Sequence, residues 1–191
     1  MKINFKEILL IPNLISLFRL FLFIPFYYLL NNYFNDSIYR TAIIILIFVA
    51  FISDLLDGFV ARKTNSISEL GKIIDPLADK VLVALIVIRL FLLNEIPLFY
   101  FIIVITRDLL ILIGGILISS KVRKVLPSNM LGKFTVFLIG IFILVTISAL
   151  DRTQFIYKSI LYISSLLCFA SLLTYCIRAI KQIKTDDRAN S

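Results

Sequence analysis

The chain has 191 residues, of which 60% are hydrophobic and 17% are charged, and its mean hydropathy is +1.00. Soluble globular proteins contain about 45–50% apolar and about 25% charged residues, so the composition excludes an ordinary water-soluble domain and a disordered chain. Since the sequence contains no histidine, any catalysis must use carboxylates, hydroxyls, lysine or a metal ion held by oxygen ligands.

The apolar segments predict an all-α integral membrane protein with six transmembrane helices and a short N-terminal interfacial helix. Residues 1–10 mix charged and apolar side chains without a small-residue cleavage site, so we expect them to lie at the membrane surface. The later apolar runs are long and do not alternate, which favours helices over strands. We expect spans at about 14–31, 40–60, 74–93, 96–119, 131–149 and 155–178. Six spans leave no room for another domain, and residues 1–191 are predicted to form a single membrane domain.

The basic residues predict the topology. With six spans both termini lie on one side, and that side collects most of the lysines and arginines. The opposite loops hold only Arg40, Arg152 and Lys158. The positive-inside rule therefore places both termini in the cytoplasm. The net charge of +8 is then a feature of topology and of contact with anionic lipids, and no nucleic-acid partner is expected.

Residues 54–80 are the most informative segment because they carry four aspartates at the ends of two apolar helices. Asp54 and Asp57 are three residues apart, and Asp75 and Asp79 are four apart, so each pair shares a helix face. Carboxylates in a membrane helix are costly, and four together repel one another. Carboxylate oxygens from two helices suit hard divalent cations such as Mg²⁺, which would remove both penalties. The alternative is that the acids are interfacial charges paired with neighbouring lysines.

The spacing in this segment is Asp, two residues, Asp-Gly, two residues, Ala-Arg, eight residues, Gly, three residues, Asp, three residues, Asp. The positions are Asp54, Asp57, Gly58, Ala61, Arg62, Gly71, Asp75 and Asp79. This pattern resembles, without a departure, the signature of the CDP-alcohol phosphatidyltransferase family. The six-span layout is also similar to that family, so the resemblance covers most of the chain.

The resemblance implies a homodimeric six-helix bundle, in the bacterial inner membrane with a cytoplasmic active site. Such an enzyme moves a phosphatidyl group from CDP-diacylglycerol to an alcohol and releases CMP. It implies two ions, Mg²⁺ or Mn²⁺, held by Asp54, Asp57 and Asp75 with Asp79 also near the metals. Asp79 is the implied general base. The implied CDP-binding residues are Asp54, Gly58, Ala61, Arg62 and Gly71. The chemistry agrees, because divalent ions and a guanidinium can neutralise a pyrophosphate.

The signature does not identify the acceptor alcohol. Residues 11–20 and 70–84 resemble the bacterial phosphatidylglycerophosphate synthase branch, which uses glycerol 3-phosphate. Residues 105–115 and 126–137 resemble the cardiolipin synthase branch, which uses phosphatidylglycerol. Both acceptors are anions that need basic partners, for which the candidates are Arg107, Lys133 and Arg123. Inositol phosphate, serine and choline-type acceptors have less local support.

Two other classes of membrane protein are alternatives to an enzyme. A cation transporter also places acids in the membrane, but it needs a route through both leaflets, whereas the acids of this chain cluster on one side. A structural membrane subunit would not need the signature at all.

Overall fold

The computed structural model describes the backbone of residues 11–32, 36–63, 71–122, 130–148 and 150–189. The regular structure within these ranges is α-helical: α1 (Ile11–Phe21), α2 (Phe23–Asn31), α3 (Ser37–Lys63), α4 (Gly71–Leu92), α5 (Leu98–Val122), α6 (Met130–Ile147) and α7 (Phe155–Ala189). The chain divides into two compact units, Met1–Asn94 and Glu95–Ser191. In the first unit, α1 and α2 each pack against both α3 and α4. In the second, α7 packs against α5 and α6.

Large apolar side chains lie on the outside of the helices and polar side chains lie between them, as expected for a protein in lipid. On α6, Phe134 and Phe137 are exposed, whereas the neighbouring Thr135 is fully buried. The Thr135 hydroxyl donates to the carbonyl oxygen of Leu131 at 2.7 Å and lies 3.3 Å from that of Leu167 on α7. Buried hydroxyls that bond to backbone carbonyls hold membrane helices together, because lipid tails compete for apolar contacts but not for hydrogen bonds.

Five helices of the described part are long and apolar enough to cross a membrane. They are Asn13–Asn31, Ser37–Leu56, Leu98–Gly115, Met130–Ile147 and Phe155–Gln182. The predicted all-α integral membrane class is therefore confirmed. The remaining predicted span corresponds to α4, whose 22 residues would reach about 33 Å but include five charged side chains. The predicted interfacial helix at residues 1–10 lies outside the described residues.

The first predicted span is formed by two helices rather than one. Leu22 separates α1 from α2, yet its backbone stays in the right-handed helical region with φ −60° and ψ −17°. The amide groups of Leu22 and Phe26 still donate to the carbonyls four residues earlier, at 3.1 Å each. Pro25 has no N–H, and its ring crowds the carbonyl of Phe21. The proline therefore explains why the helix is interrupted there.

Two helices extend beyond the apolar runs from which they were predicted. The second span was expected to end near residue 60 and the last near 178, but α3 continues to Lys63 and α7 to Ala189. The added residues of α7 include Lys, Arg, Gln and Ala, which are strong helix formers. Hydrophobicity indicates which part of a helix lies in lipid. The length of the helix beyond that part depends on the helix propensity of its residues.

An ion pair and a hydrogen bond connect the segment before α5 to the start of α7. The Glu95 side chain is 8% exposed and pairs with Arg152, which is 51% exposed, at 2.7 Å. The hydroxyl of Tyr157 donates to the backbone carbonyl of Glu95 at 3.1 Å. In the adjoining loop, the Thr153 amide donates to Asp151 Oδ1 at 2.9 Å, and this hydrogen bond lowers the pKa of Asp151 below its ordinary value.

Replacing Arg152 is expected to destabilise the second unit. Arg152→Ala leaves the buried Glu95 carboxylate without this partner, which we expect to cost about 1–3 kcal/mol of unfolding free energy. The measurement is unfolding of the purified protein in detergent, with Glu95→Gln as the background for a double-mutant cycle. Arg152→Ala should cost much less in that background. An equal cost in both backgrounds would show that the ion pair contributes nothing to stability.

Candidate active site

The four signature aspartates lie on two successive helices of the first unit. Asp54 and Asp57 belong to the last ten residues of α3, and Asp75 and Asp79 to the first nine of α4. Residues 64–70 separate the two helices in the sequence, and α1 packs against both helices. The helical spacing also puts the members of each pair on one helix face.

Asp54 is the signature residue whose side chain the structure describes. Its side chain is 45% exposed, and its Oδ1 accepts a hydrogen bond from Nη1 of Arg19 at 2.8 Å. Its Oδ2 has no partner among the described residues. The side chains of the other signature residues lie outside the described part of the structure, and their roles stay predictions. They are Asp57, Gly58, Ala61, Arg62, Gly71, Asp75 and Asp79.

Arg19 is a site residue that the sequence analysis did not identify. It lies on α1 and is only 2% exposed, which makes it one of the largest fully buried side chains. Asn13 and Ser16, six and three residues earlier, are buried as well. The helix that carries them packs against both acid-bearing helices. An arginine within an apolar span was the available signal, because such a residue usually pairs with an acid.

A second polar cluster lies in the other unit and centres on Arg107 of α5. The buried guanidinium forms an ion pair with Asp108. Its Nη2 donates to Ser171 Oγ of α7 at 3.1 Å, and lies 3.4 Å from the Gly132 carbonyl oxygen of α6. Its Nε, also buried, has no hydrogen-bond partner within the described residues. Arg107 therefore connects α5 to α6 and α7, and its Nε remains a donor that no described residue uses.

The other two acceptor candidates differ in their placement. Lys133 lies in the first turn of α6, next to Gly132, and its side chain is exposed. Arg123 lies outside the described residues. Lys133 therefore directly follows Gly132, whose carbonyl oxygen lies 3.4 Å from Nη2 of Arg107.

The family model of CDP-alcohol phosphatidyltransferases matches residues 9–175, a range that contains every signature position. The chain belongs to the CDP-alcohol phosphatidyltransferase family. The predicted family and enzyme class are thereby confirmed, and this phosphatidyltransferase is a multi-pass membrane protein. The transporter and structural-subunit alternatives lose their support.

Several bacterial relatives align with most of the chain. One from Aquifex aeolicus is 31% identical over 182 residues, which cover 91% of this chain and 97% of the relative. One from Wigglesworthia glossinidia brevipalpis is 33% identical over 181 residues, or 86% and 92% of the two chains. One from Bacillus subtilis is 34% identical over 134 residues, or 69% and 67%. All three are named CDP-diacylglycerol–glycerol-3-phosphate 3-phosphatidyltransferase.

CDP-alcohol phosphatidyltransferases generally depend on a divalent metal. The donors of this chain fit such an ion by their chemistry. All four signature acids offer hard carboxylate oxygens, which Mg²⁺ and Mn²⁺ prefer. The Asp54 carboxylate is partly exposed, Arg19 contacts one of its oxygens, and the other has no partner among the residues that the structure describes.

Proposed function

We propose that this enzyme is a phosphatidylglycerophosphate synthase of phospholipid biosynthesis. It transfers the phosphatidyl group of CDP-diacylglycerol to glycerol 3-phosphate and releases CMP. The observation that carries the proposal is the complete signature on two successive membrane helices, in a chain whose relatives of that name align over almost their whole length. The signature alone does not identify the acceptor, and the names of these relatives favour glycerol 3-phosphate.

The signature residues are proposed to hold the donor and the metal. Two divalent ions, Mg²⁺ or Mn²⁺, would be held by Asp54, Asp57, Asp75 and Asp79. Such ions supply neutralisation of the pyrophosphate charge and of the departing CMP. The cytidine diphosphate is proposed to bind at Asp54, Gly58, Ala61, Arg62 and Gly71. Glycine permits close approach of the helix backbone to the nucleotide, and the Arg62 guanidinium is a suitable partner for a phosphate.

Asp79 is proposed as the general base. The acceptor hydroxyl oxygen forms a bond to the phosphorus that carries the diacylglycerol, and the bond from this phosphorus to the oxygen of CMP breaks. The electron pair of that bond leaves with CMP, and the hydroxyl proton passes to the Asp79 carboxylate. Because the chain has no histidine, a carboxylate is the natural group to accept this proton.

The proposed orientation follows from counting α4 as the sixth crossing. Four of its five charges, Lys72, Asp75, Asp79 and Lys80, fall within its first ten residues, so the remainder of the helix can lie in lipid. Six crossings put both termini and the signature at the cytoplasmic face of the bacterial inner membrane. The acyl chains of the donor can then stay in the bilayer while its headgroup reacts at the surface. The single-domain arrangement and the homodimer are part of the same proposal.

Arg107, Lys133 and Arg123 are proposed to bind the acceptor phosphate. Arg107 has a buried donor that nothing in the described part uses, and Lys133 is an exposed residue of the first turn of α6, next to the Gly132 that Arg107 approaches. A phosphate needs several charge-assisted hydrogen bonds in a partly desolvated site. These residues offer such donors without drawing on the signature.

The test of the function is identification of the lipid product. The purified protein is given CDP-diacylglycerol, Mg²⁺ and each acceptor in turn, and the lipids are analysed by mass spectrometry. We expect phosphatidylglycerophosphate and CMP in equal amounts, from glycerol 3-phosphate alone. Asp79→Asn protein prepared in parallel, which is expected to turn over at least about 100-fold more slowly, controls for contaminating enzymes. Cardiolipin formed from phosphatidylglycerol, with no use of glycerol 3-phosphate, would instead assign the chain to the cardiolipin synthase branch.

Asp79→Asn is expected to lower turnover by at least about 100-fold, because an amide cannot accept the hydroxyl proton. The affinity for CDP-diacylglycerol should change little. The matched variant Asp57→Asn should instead raise the Mg²⁺ concentration needed for half-maximal rate. Steady-state kinetics over a Mg²⁺ series separates the two effects, and near-normal turnover of Asp79→Asn would remove this residue as the base.

Lys133→Ala is expected to raise the KM for glycerol 3-phosphate by about tenfold or more, since a charge-assisted hydrogen bond contributes roughly 1.5–3 kcal/mol. The KM for CDP-diacylglycerol and the thermal stability should not change, because Lys133 is exposed. Lys158→Ala, which removes another exposed lysine, is the control. Arg107→Ala is a poorer probe, because it also deprives Asp108 of its ion pair. An unchanged KM in Lys133→Ala would place the acceptor phosphate elsewhere.

A further inference from the structure

We propose that Arg19 is a positioning residue for Asp54, so that α1 forms part of the metal site. The inference rests on the proposed role of Asp54 as a metal ligand. The observation is the 2.8 Å contact from Arg19 Nη1 to Asp54 Oδ1, which joins α1 to α3 across 35 residues of sequence. Nothing in the signature itself includes α1.

The burial of the two partners separates a positioning role from a catalytic one. The Arg19 side chain is 2% exposed and the Asp54 side chain is 45% exposed. A substrate or an ion can therefore approach Asp54 from its open side but cannot reach the guanidinium behind it. Arg19 acts through the carboxylate that it holds.

The contact restricts the orientation of the Asp54 carboxylate. Arginine is a planar donor with a fixed geometry, so an arginine held rigidly by burial restricts the rotation of the carboxylate it binds. One oxygen of Asp54 is thereby occupied, and Oδ2 has no partner in the part of the chain that the structure describes. Partners that orient a metal ligand typically change metal affinity or activity by 10–100-fold when they are removed.

The surroundings of Arg19 also differ from those of another arginine in the same unit. Arg89 lies in the last turn of α4, donates to Asn31, and has its guanidinium 5.7 Å from the centre of the Tyr27 ring. It belongs to the opposite end of the helix that carries Asp79, about 15 Å away along the axis. Arg19 instead contacts a signature acid and shares its helix with the buried Asn13 and Ser16. The buried polar residues of α1 thus end at Arg19, which contacts the signature residue Asp54.

Two effects of Arg19 on metal binding have opposite signs. Its positive charge repels a nearby cation, so loss of the charge alone would tighten metal binding. Its hydrogen bond orients Asp54, so loss of the orientation would weaken metal binding. The positioning role requires that the second effect dominate, and the direction of the change therefore distinguishes the two.

The experiment measures Mn²⁺ binding to the purified full-length protein in detergent micelles by electron paramagnetic resonance. We expect Arg19→Met to raise the Mn²⁺ dissociation constant by about tenfold or more. Arg19→Lys, which keeps the charge but loses the planar fork, should give an intermediate value. Arg89→Met removes a charge from the same unit and should bind Mn²⁺ like the wild-type protein. Turnover should fall in the order wild type, Arg19→Lys, Arg19→Met, with little change in the KM for glycerol 3-phosphate.

The outcomes are separable. Unchanged or tighter Mn²⁺ binding by folded Arg19→Met would overturn the positioning role while leaving the proposed metal site intact. If Arg19→Met does not fold, Arg19→Lys decides: weaker binding supports the proposal, and wild-type binding overturns it. If the wild-type protein itself binds no Mn²⁺, or Asp54→Asn binds it as tightly as the wild type, the proposed metal role of Asp54 fails and this inference fails with it.

Discussion

The cost of a carboxylate near lipid is the constraint on which the organisation of this protein depends. An ionised acid removed from water must find a cation, a hydrogen-bond donor or a metal ion. The described acids in and next to the helices show the first solution: Asp54 pairs with Arg19, Asp108 with Arg107, and Glu95 with Arg152. The pairs differ in exposure, and this difference separates their roles. Glu95 is almost closed to solvent, whereas Asp54 has an accessible side through which an ion can be bound.

The same constraint explains the composition of the helices. Lipid accepts large apolar side chains on the outside, so Phe134 and Phe137 of α6 are exposed, while Thr135 and Thr146 are buried and bond to backbone carbonyls. On α1 the inward side carries Asn13, Ser16 and Arg19 rather than threonines. A helix that only anchored the chain would not need this polarity, because each buried polar group must be matched by a partner. The buried polar residues of α1 therefore support the proposal that the first span forms part of the site.

The sequence predicts the helices and the signature well, but not the contacts made across the fold. Apolar length located the five spans that the described part shows, because the bilayer fixes the length of the segment that crosses it. It did not locate the ends of α3 and α7, which depend on helix propensity in water, nor the interruption at Leu22, which depends on Pro25. The spacing of Asp54 to Asp79 was sufficient to identify the family. The partner of Asp54 was not predictable from spacing, since Arg19 is 35 residues away and belongs to another helix.

The buried arginines show that counting basic residues predicts membrane topology but not the role of each residue. The positive-inside rule treats lysines and arginines near helix ends as markers of topology, and it has nothing to say about Arg19 or Arg107. Both are buried, and each contacts an acid and so has a local electrostatic reason for its position. Because a charge within a membrane helix costs free energy, a buried arginine at such a position indicates a function that an apolar residue could not provide. Arg107 joins three helices through its polar contacts, and Arg19 holds the carboxylate of Asp54, whose role as a metal ligand is proposed.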